Sequence, residues 1–142
     1  EALVFARLAA DDIAAGLPAA DPGLPPVRLA FAPGGADTDA AAVARLRRLM
    51  TAQVGVLRDG AGLRAALAGI SELERAAAPT EAFANMIAAA TLITVAAVAR
   101  TESRGSHWRT DHPAADPAQA RRVRLTLAEA QAIRADLLEM AP

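Results

Sequence analysis

Apolar residues recur at three- and four-residue steps along most of this 142-residue chain, which is the period of α-helices. Residues 1–15 form the first predicted helix, and Gly16 is the expected C′ residue after it. Residues 17–36 hold five prolines and three glycines, a density that no helix tolerates. We therefore predict a linker or surface loop at 17–36, and a boundary between two parts of the chain there.

Two amphipathic helices are predicted after the linker. Asp37, Thr38 or Asp39 caps the first of them, which is expected to run to about Leu57. The next is expected to end at about Ala77, and its start is left open because Gly62 lies in its opening turn. Its predicted inward-facing residues are Leu63, Ala66, Leu67, Ile70 and Leu73.

A long apolar helix is predicted next, with Thr80 as its N-cap. Residues 82–99 carry no charge, so the segment is long enough to span a membrane. Its many alanines, Asn85 and two threonines favour instead the buried central helix of a bundle. Gly105 is expected to end this helix through a sharp turn.

The last predicted helix follows a polar loop over residues 114–124. Thr126 and Glu129 have the spacing of a capping box. The predicted apolar face consists of Leu127, Ala130, Ile133, Leu137 and Met140. The whole pattern predicts an all-α fold, a three- to four-helix bundle over residues 37–142.

Composition narrows the chemistry further. The chain has no cysteine, so disulfides and thiolate chemistry are excluded. His107 and His112 are its only imidazoles, and their spacing of five does not place them on one helical face. The net charge of −1 gives the chain as a whole no attraction to nucleic acid. The first residue is Glu1 and no basic n-region follows, so we expect no signal peptide and a chain that continues a longer protein.

The usual catalytic motifs are missing from the sequence. It has no phosphate-binding loop after a strand, no nucleophile elbow, no zinc signature and no paired catalytic carboxylates. A flavin or nicotinamide site would need a βαβ unit, which the pattern does not predict. We therefore expect no catalytic, cofactor-binding or metal-ligating residue within this chain.

Polar chemistry is concentrated in one stretch, TESRGSHWRTDHP, residues 101–113. One interpretation is a helix C-terminus followed by a surface loop, and the other is a corner that docks another domain. The candidate interface residues are Glu102, Arg104, His107, Trp108, Arg109 and Asp111.

Six arginines and three acids lie between residues 100 and 124. Such a patch could bind phosphate. The interleaved acids favour an ion-paired, solvated surface instead. The sequence is compatible with phosphate binding and with an ion-paired surface, and we prefer the ion-paired surface.

The stretch ESRGSHWRTDHP, residues 102–113, resembles the ESRG-x-H-x-R-x-D-x-P signature of the succinate dehydrogenase/fumarate reductase flavoprotein family. Within that family the chain is most similar to the L-aspartate oxidases. Residues 45–67 are similar to the family's second bundle helix, turn and following helix, and residues 1–14 resemble the helix after its flavin-contacting segment. One departure is His112, where the family commonly has an aromatic residue.

The resemblance implies that the chain is a C-terminal helical domain that packs on a flavin domain and is not catalytic alone. Residues 1–16 would then be the last helix of a missing FAD domain. The full-length protein would use FAD to oxidise L-aspartate to iminoaspartate, the first step of de novo NAD biosynthesis, in the cytoplasm. Its implied partners are its own FAD and capping domains and quinolinate synthase, with no nucleic acid and no membrane.

Two alternatives and one further expectation accompany this interpretation. The chain could belong to a respiratory succinate dehydrogenase or fumarate reductase flavoprotein subunit, or it could be a free-standing helical interaction module. A bundle face that normally meets a flavin domain would be apolar, and such faces tend to pair. A homodimer is therefore also expected as a possible state of the isolated chain.

Overall fold

The computed structural model describes residues 2–16, 37–77 and 80–139. The chain divides into two compact units, Glu1–Pro33 and Gly34–Pro142, and each is described by itself. The predicted linker at 17–36 and the predicted apolar residue Met140 lie outside the described residues.

The first unit contains one described helix, α1, at Ala2–Gly16. Gly16 is the last helical residue and not the left-handed C′ residue that the sequence suggested. Apolar residues at three- and four-residue steps form a stripe along α1, and this stripe is exposed, with Val4 at 62% and Phe5 at 67%. Arg7 and Asp11 form an exposed i,i+4 ion pair at 3.8 Å, which adds little to stability.

The second unit is a bundle of four helices joined by short irregular segments. The helices are α2 (Ala40–Val54), α3 (Gly60–Ala76), α4 (Glu81–Ala99) and α5 (Leu127–Glu139). Two two-residue strands, β1 (Leu57–Arg58) and β2 (Trp108–Arg109), and a 3₁₀ turn at Pro117–Gln119 complete it. The predicted all-α bundle is confirmed.

Each bundle helix begins at a side chain that accepts a free backbone N–H of the first turn. Asp39 accepts from Ala41 N at 2.8 Å, and this decides between the three predicted caps of α2. The predicted capping box of α5 is present, because Thr126 N donates to Glu129 Oε2 at 2.7 Å and Glu129 N donates to Thr126 Oγ1 at 3.3 Å. These two hydrogen bonds fix the start of α5.

Helix α3 lies at the centre of the bundle and contacts α2, α4 and α5. It starts at Gly60, a start that the sequence did not define. The carboxylate of Asp59 accepts from Gly62 N at 2.7 Å and caps this start. Its predicted inward face is confirmed, since four residues are fully buried and the fifth is 4% exposed. These residues are Leu63, Ala66, Leu67, Ile70 and Leu73.

Helix α4 begins as predicted, with the Thr80 hydroxyl accepting from Phe83 N at 3.2 Å. It buries one face against α2, α3 and α5, so it is a core helix of the bundle. It is apolar all round but not buried all round, because Met86 is 36% and Ile93 is 53% exposed. By length and composition it is also the one described helix that could cross a membrane.

Helix α2 ends at Val54, three residues before the predicted end at Leu57. Gly55 is in an extended conformation there, and Val56 and Leu57 are 76% and 66% exposed. The reason is long-range pairing: β1 runs parallel to β2, with Leu57 opposite Trp108. A helical period alone carries no information about such a contact.

Helix α5 is attached to the other helices through an apolar cluster, which includes Ile133 and Leu137, and through one polar bridge. Ala130 is fully buried against Leu67 of α3 and Val95 of α4. Arg134 donates to Glu74 Oε2 at 2.6 Å and to Thr91 Oγ1 at 3.2 Å. The predicted face is only partly confirmed, since Leu127 at its start is 39% exposed.

Truncation of Leu67 tests the central position of α3. The L67A variant should lose about 2–5 kcal/mol of unfolding free energy, because Leu67 is fully buried where α3, α4 and α5 meet. Urea unfolding followed by circular dichroism measures this. The control is I93A, which removes an exposed side chain and should cost less than about 1 kcal/mol. Equal losses in the two variants would contradict this packing arrangement.

Candidate functional site

Residues 101–116, which we call the corner loop, leave the end of α4 and hold all six candidate interface residues. The prediction that Gly105 ends α4 is wrong, because α4 ends at Ala99. Gly105 instead forms a tight turn between Arg104 and His107, whose backbones exchange hydrogen bonds of 2.8 and 3.0 Å. Its φ of +59° is the left-handed value that a type II′ turn requires at its first central residue.

The guanidinium of Arg109 closes the C-terminal end of α4. The side chain is 3% exposed, and Nη1 donates to the carbonyls of Ala97 at 3.1 Å and Arg100 at 3.2 Å. The last carbonyls of a helix have no partner within the helix and carry the negative end of its dipole. A buried cation at this place satisfies both requirements.

Asp111 connects the same guanidinium to the start of α3. Arg109 donates to both carboxylate oxygens of Asp111, at 2.8 and 2.7 Å, and Gly60 N donates to Oδ2 at 2.9 Å. The pairing lowers the pKa of Asp111 and raises the pKa of Arg109. A Cβ at Gly60 would lie 3.0 Å from Asp111 Oδ2, so the contact leaves little space for a larger residue.

Glu102 is the second buried charge of the corner loop, with an exposed fraction of 0%. Arg104 donates to its two oxygens at 3.0 and 2.9 Å, Arg100 donates to Oε1, and Asp116 N donates to Oε2 at 2.7 Å. The hydrogen bonds from Arg104 are the main cause that lowers the pKa of Glu102 to about 2. Glu102 therefore stays ionised and ties both ends of the corner loop together.

His107 is held by both ring nitrogens. Nε2 lies 3.2 Å from the carbonyl oxygen of Arg100, which can only accept, so Nε2 carries the proton. Nδ1 then accepts from Arg58 Nη1 at 2.8 Å. Burial lowers the pKa of His107 below its usual value. With both nitrogens engaged, this imidazole has no free atom to act as a general base.

Ser103 belongs to this arrangement and was missed in the sequence. It is 6% exposed; its hydroxyl accepts from Arg109 N at 2.8 Å and lies 2.9 Å from the carbonyl oxygen of His112, to which it can donate. Arg58 was missed as well, because it lies 49 residues from its partner His107. Serines and arginines are common in surface loops, and neither residue carries a local signal of this role.

The six predicted interface residues differ in burial, and His107 is half-buried with both ring nitrogens engaged. Glu102 and Arg109 are buried within the bundle and their polar atoms are occupied internally, and their interface role stays a prediction. Trp108 is 45% exposed, and the side chains of Arg104 and Asp111 are 41% and 37% exposed. These three residues keep accessible surface, and their interface role stays a prediction.

The buried polar side chains of the corner loop contact one another and the ends of the neighbouring helices. No group of three or more metal-ligating side chains lies together among the described residues. Their two strands are each two residues long and form no βαβ unit. Every buried polar side-chain atom in the described ranges has a hydrogen-bond partner.

Comparison with known proteins agrees with this fold. Residues 77–140 match the family described as "Fumarate reductase flavoprotein C-term", a range that includes α4, the corner loop and α5. Residues 77–140 are thus similar to the C-terminal part of the fumarate reductase flavoproteins. The resemblance predicted from residues 102–113 is thereby confirmed.

Two curated relatives are more specific. The chain is 50% identical over 123 residues to L-aspartate oxidase of Rhodospirillum rubrum, which covers 86% of this chain and 44% of that protein. It is 42% identical over 99 residues to L-aspartate oxidase of Caulobacter vibrioides, covering 70% of this chain and 18% of that protein. The chain thus spans less than half the length of these relatives. No solved structure matches it significantly.

Acidification tests the buried carboxylate of Glu102. A carboxyl group whose pKa is lower in the folded state stabilises the fold above its unfolded pKa, near 4.5, and loses this effect as the pH falls towards about 2. The parent chain should therefore lose stability over this range. The E102Q variant should lose distinctly less, because it has no proton to gain at this position.

The measurement is the urea unfolding midpoint at several pH values between about 5 and 2. The control is E139Q, which removes an exposed carboxylate at the end of α5 and should follow the parent's profile. A pH slope of E102Q as steep as the parent's would show that Glu102 does not contribute to acid sensitivity.

Proposed function

We propose that this chain is the C-terminal helical domain of an FAD-dependent L-aspartate oxidase. The observation that carries the proposal is 50% identity with an L-aspartate oxidase over 86% of the chain. The family match and the helical bundle support it from independent directions. In the full-length protein the reaction converts the amine of L-aspartate to the imine of iminoaspartate, and two electrons pass to the flavin and then to an acceptor.

The proposed role of this chain is to pack on the flavin domain and not to take part in the chemistry. The internal engagement of Glu102, His107 and Arg109 supports this, because these side chains have no free polar atoms to offer a substrate. The exposed indole of Trp108 and the partly exposed guanidinium of Arg104 are the proposed contacts. Aromatic residues and arginines are the types most enriched at protein interfaces.

The remaining parts of the proposal concern the context of the full-length protein. We propose that α1 is the last helix of the FAD domain, and its exposed apolar stripe is consistent with a face that another domain covers. The proposed setting is the cytoplasm, without nucleic acid or membrane, in de novo NAD biosynthesis. Quinolinate synthase would use the product, and the isolated chain could form a homodimer.

A second candidate is the respiratory branch of the same family. The matched family carries the name of fumarate reductase, and the corner loop contains the signature that both branches share. In that case the full-length protein would act on succinate or fumarate and would need an electron-transfer partner.

Flavin reduction in the full-length protein distinguishes the two. The purified flavoprotein that contains this chain is mixed anaerobically with L-aspartate or with succinate, and flavin absorbance near 450 nm is followed. Bleaching by L-aspartate and not by succinate is the expected result. Bleaching by succinate alone would move the protein to the respiratory branch. A full-length protein without flavin would contradict both candidates and favour a free-standing helical module.

A further inference from the structure

A basic cleft lies beside the corner loop, where the 3₁₀ turn returns along the end of α4. Its volume is about 430 Å³, and its lining includes Arg100, Arg104, His107, Arg121 and Arg122. Four of these five side chains are permanently charged guanidinium groups. No acidic residue lines the cleft.

A second cleft adjoins the first and shares three of its arginines. It measures about 380 Å³, and Arg100, Arg121 and Arg122 line both clefts. Its other walls come from Ala96 and Ala99 of α4, from Val123 and from the amide side chain of Gln119. The second cleft therefore combines guanidinium groups with small apolar side chains. Together they form a site with a cationic end and a partly apolar end.

The site has more arginines than carboxylates to pair with them. Arg100 and Arg104 share the single carboxylate of Glu102, which is buried beneath them. Arg121 and Arg122 form no ion pair and no side-chain hydrogen bond within the described part of the chain. The ion-paired surface preferred from the sequence thus holds for the arginines before residue 110 and not for this pair.

The backbone that carries Arg121 is fixed in place. Arg100 donates from Nη1 to the carbonyl of Gln119 at 3.1 Å and from Nη2 to the carbonyl of Arg121 at 2.9 Å. Gln119 in turn exchanges hydrogen bonds of 3.2 and 3.1 Å with Thr101. Because these contacts exist already, closing the cleft around a ligand would order mainly the two side chains of Arg121 and Arg122.

From this geometry we propose that the cleft binds a phosphate-bearing small molecule. The phosphate group lies among Arg104, Arg121 and Arg122, and its organic part lies against Ala96, Ala99 and Val123. Guanidinium groups bind phosphate oxygens through paired, charge-assisted hydrogen bonds. The proposal does not depend on the assignment as an aspartate oxidase.

Calorimetric titration of the 142-residue chain with inorganic pyrophosphate tests the phosphate end. The ionic strength is kept constant with sodium chloride, because binding of this kind weakens as salt increases. We expect one site per chain, and the double variant R121A/R122A should bind at least about tenfold more weakly.

The matched control is R47A/R48A. It removes the same two charges from adjacent exposed positions on α2, away from the cleft, and should change the affinity by less than about twofold. An equal loss of pyrophosphate affinity in both double variants would show that only the overall charge of the chain matters. That result would overturn the proposal. Absence of pyrophosphate binding to the parent chain would overturn it as well.

Two further titrants test the ligand class. Adenosine diphosphate carries the same diphosphate with an organic group and should bind more tightly than pyrophosphate, because the second cleft adds contacts. Weaker binding would contradict the role given to Ala96, Ala99 and Val123. Succinate, a dicarboxylate, should bind at least about tenfold more weakly than pyrophosphate. Equal affinity for succinate would overturn the assignment to phosphate.

Discussion

One buried guanidinium holds the two central helices of this bundle together at their ends. Arg109 lies 3% exposed between the final carbonyls of α4 and the carboxylate of Asp111, which in turn accepts the first amide of α3. A buried charge without partners would be costly, but every donor and acceptor here is satisfied. The position of the whole corner loop follows from this contact, because residues 109–111 can reach it only if the chain turns back after α4.

The rest of the loop supports that turn. Gly105 reverses the chain, and Ser103 holds the backbone of Arg109 in place through its hydroxyl. Glu102 joins the beginning of the loop to its end at Asp116. The two-residue strands β1 and β2 then attach the loop to the segment between α2 and α3. Residues 102–113, which carry the family signature, thus mainly make contacts within the bundle. Trp108 and Arg104 remain at the surface.

The helices could be predicted from sequence because apolar periodicity and capping residues are local signals. The five inward positions of α3, the Thr80 cap and the Thr126–Glu129 capping box were all predicted from neighbouring residues. The position of the corner loop could be predicted from its unusual polar composition, but its contacts could not. Its decisive contacts join residues about fifty positions apart, such as Gly60 with Asp111. Charged residues are expected at the surface, so the burial of Glu102 and Arg109 had no signal in the sequence.

Native-state hydrogen exchange tests the central claim, that the corner is part of the cooperative core. The amides to follow are those of Gly60, Arg109 and Thr110, which donate to Asp111, Ser103 and Arg58. Our account predicts that they open with a free energy within about 1 kcal/mol of the Leu67 amide in the middle of α3. Rapid exchange of these three amides while Leu67 stays protected would show a loop that opens independently, and would contradict the account.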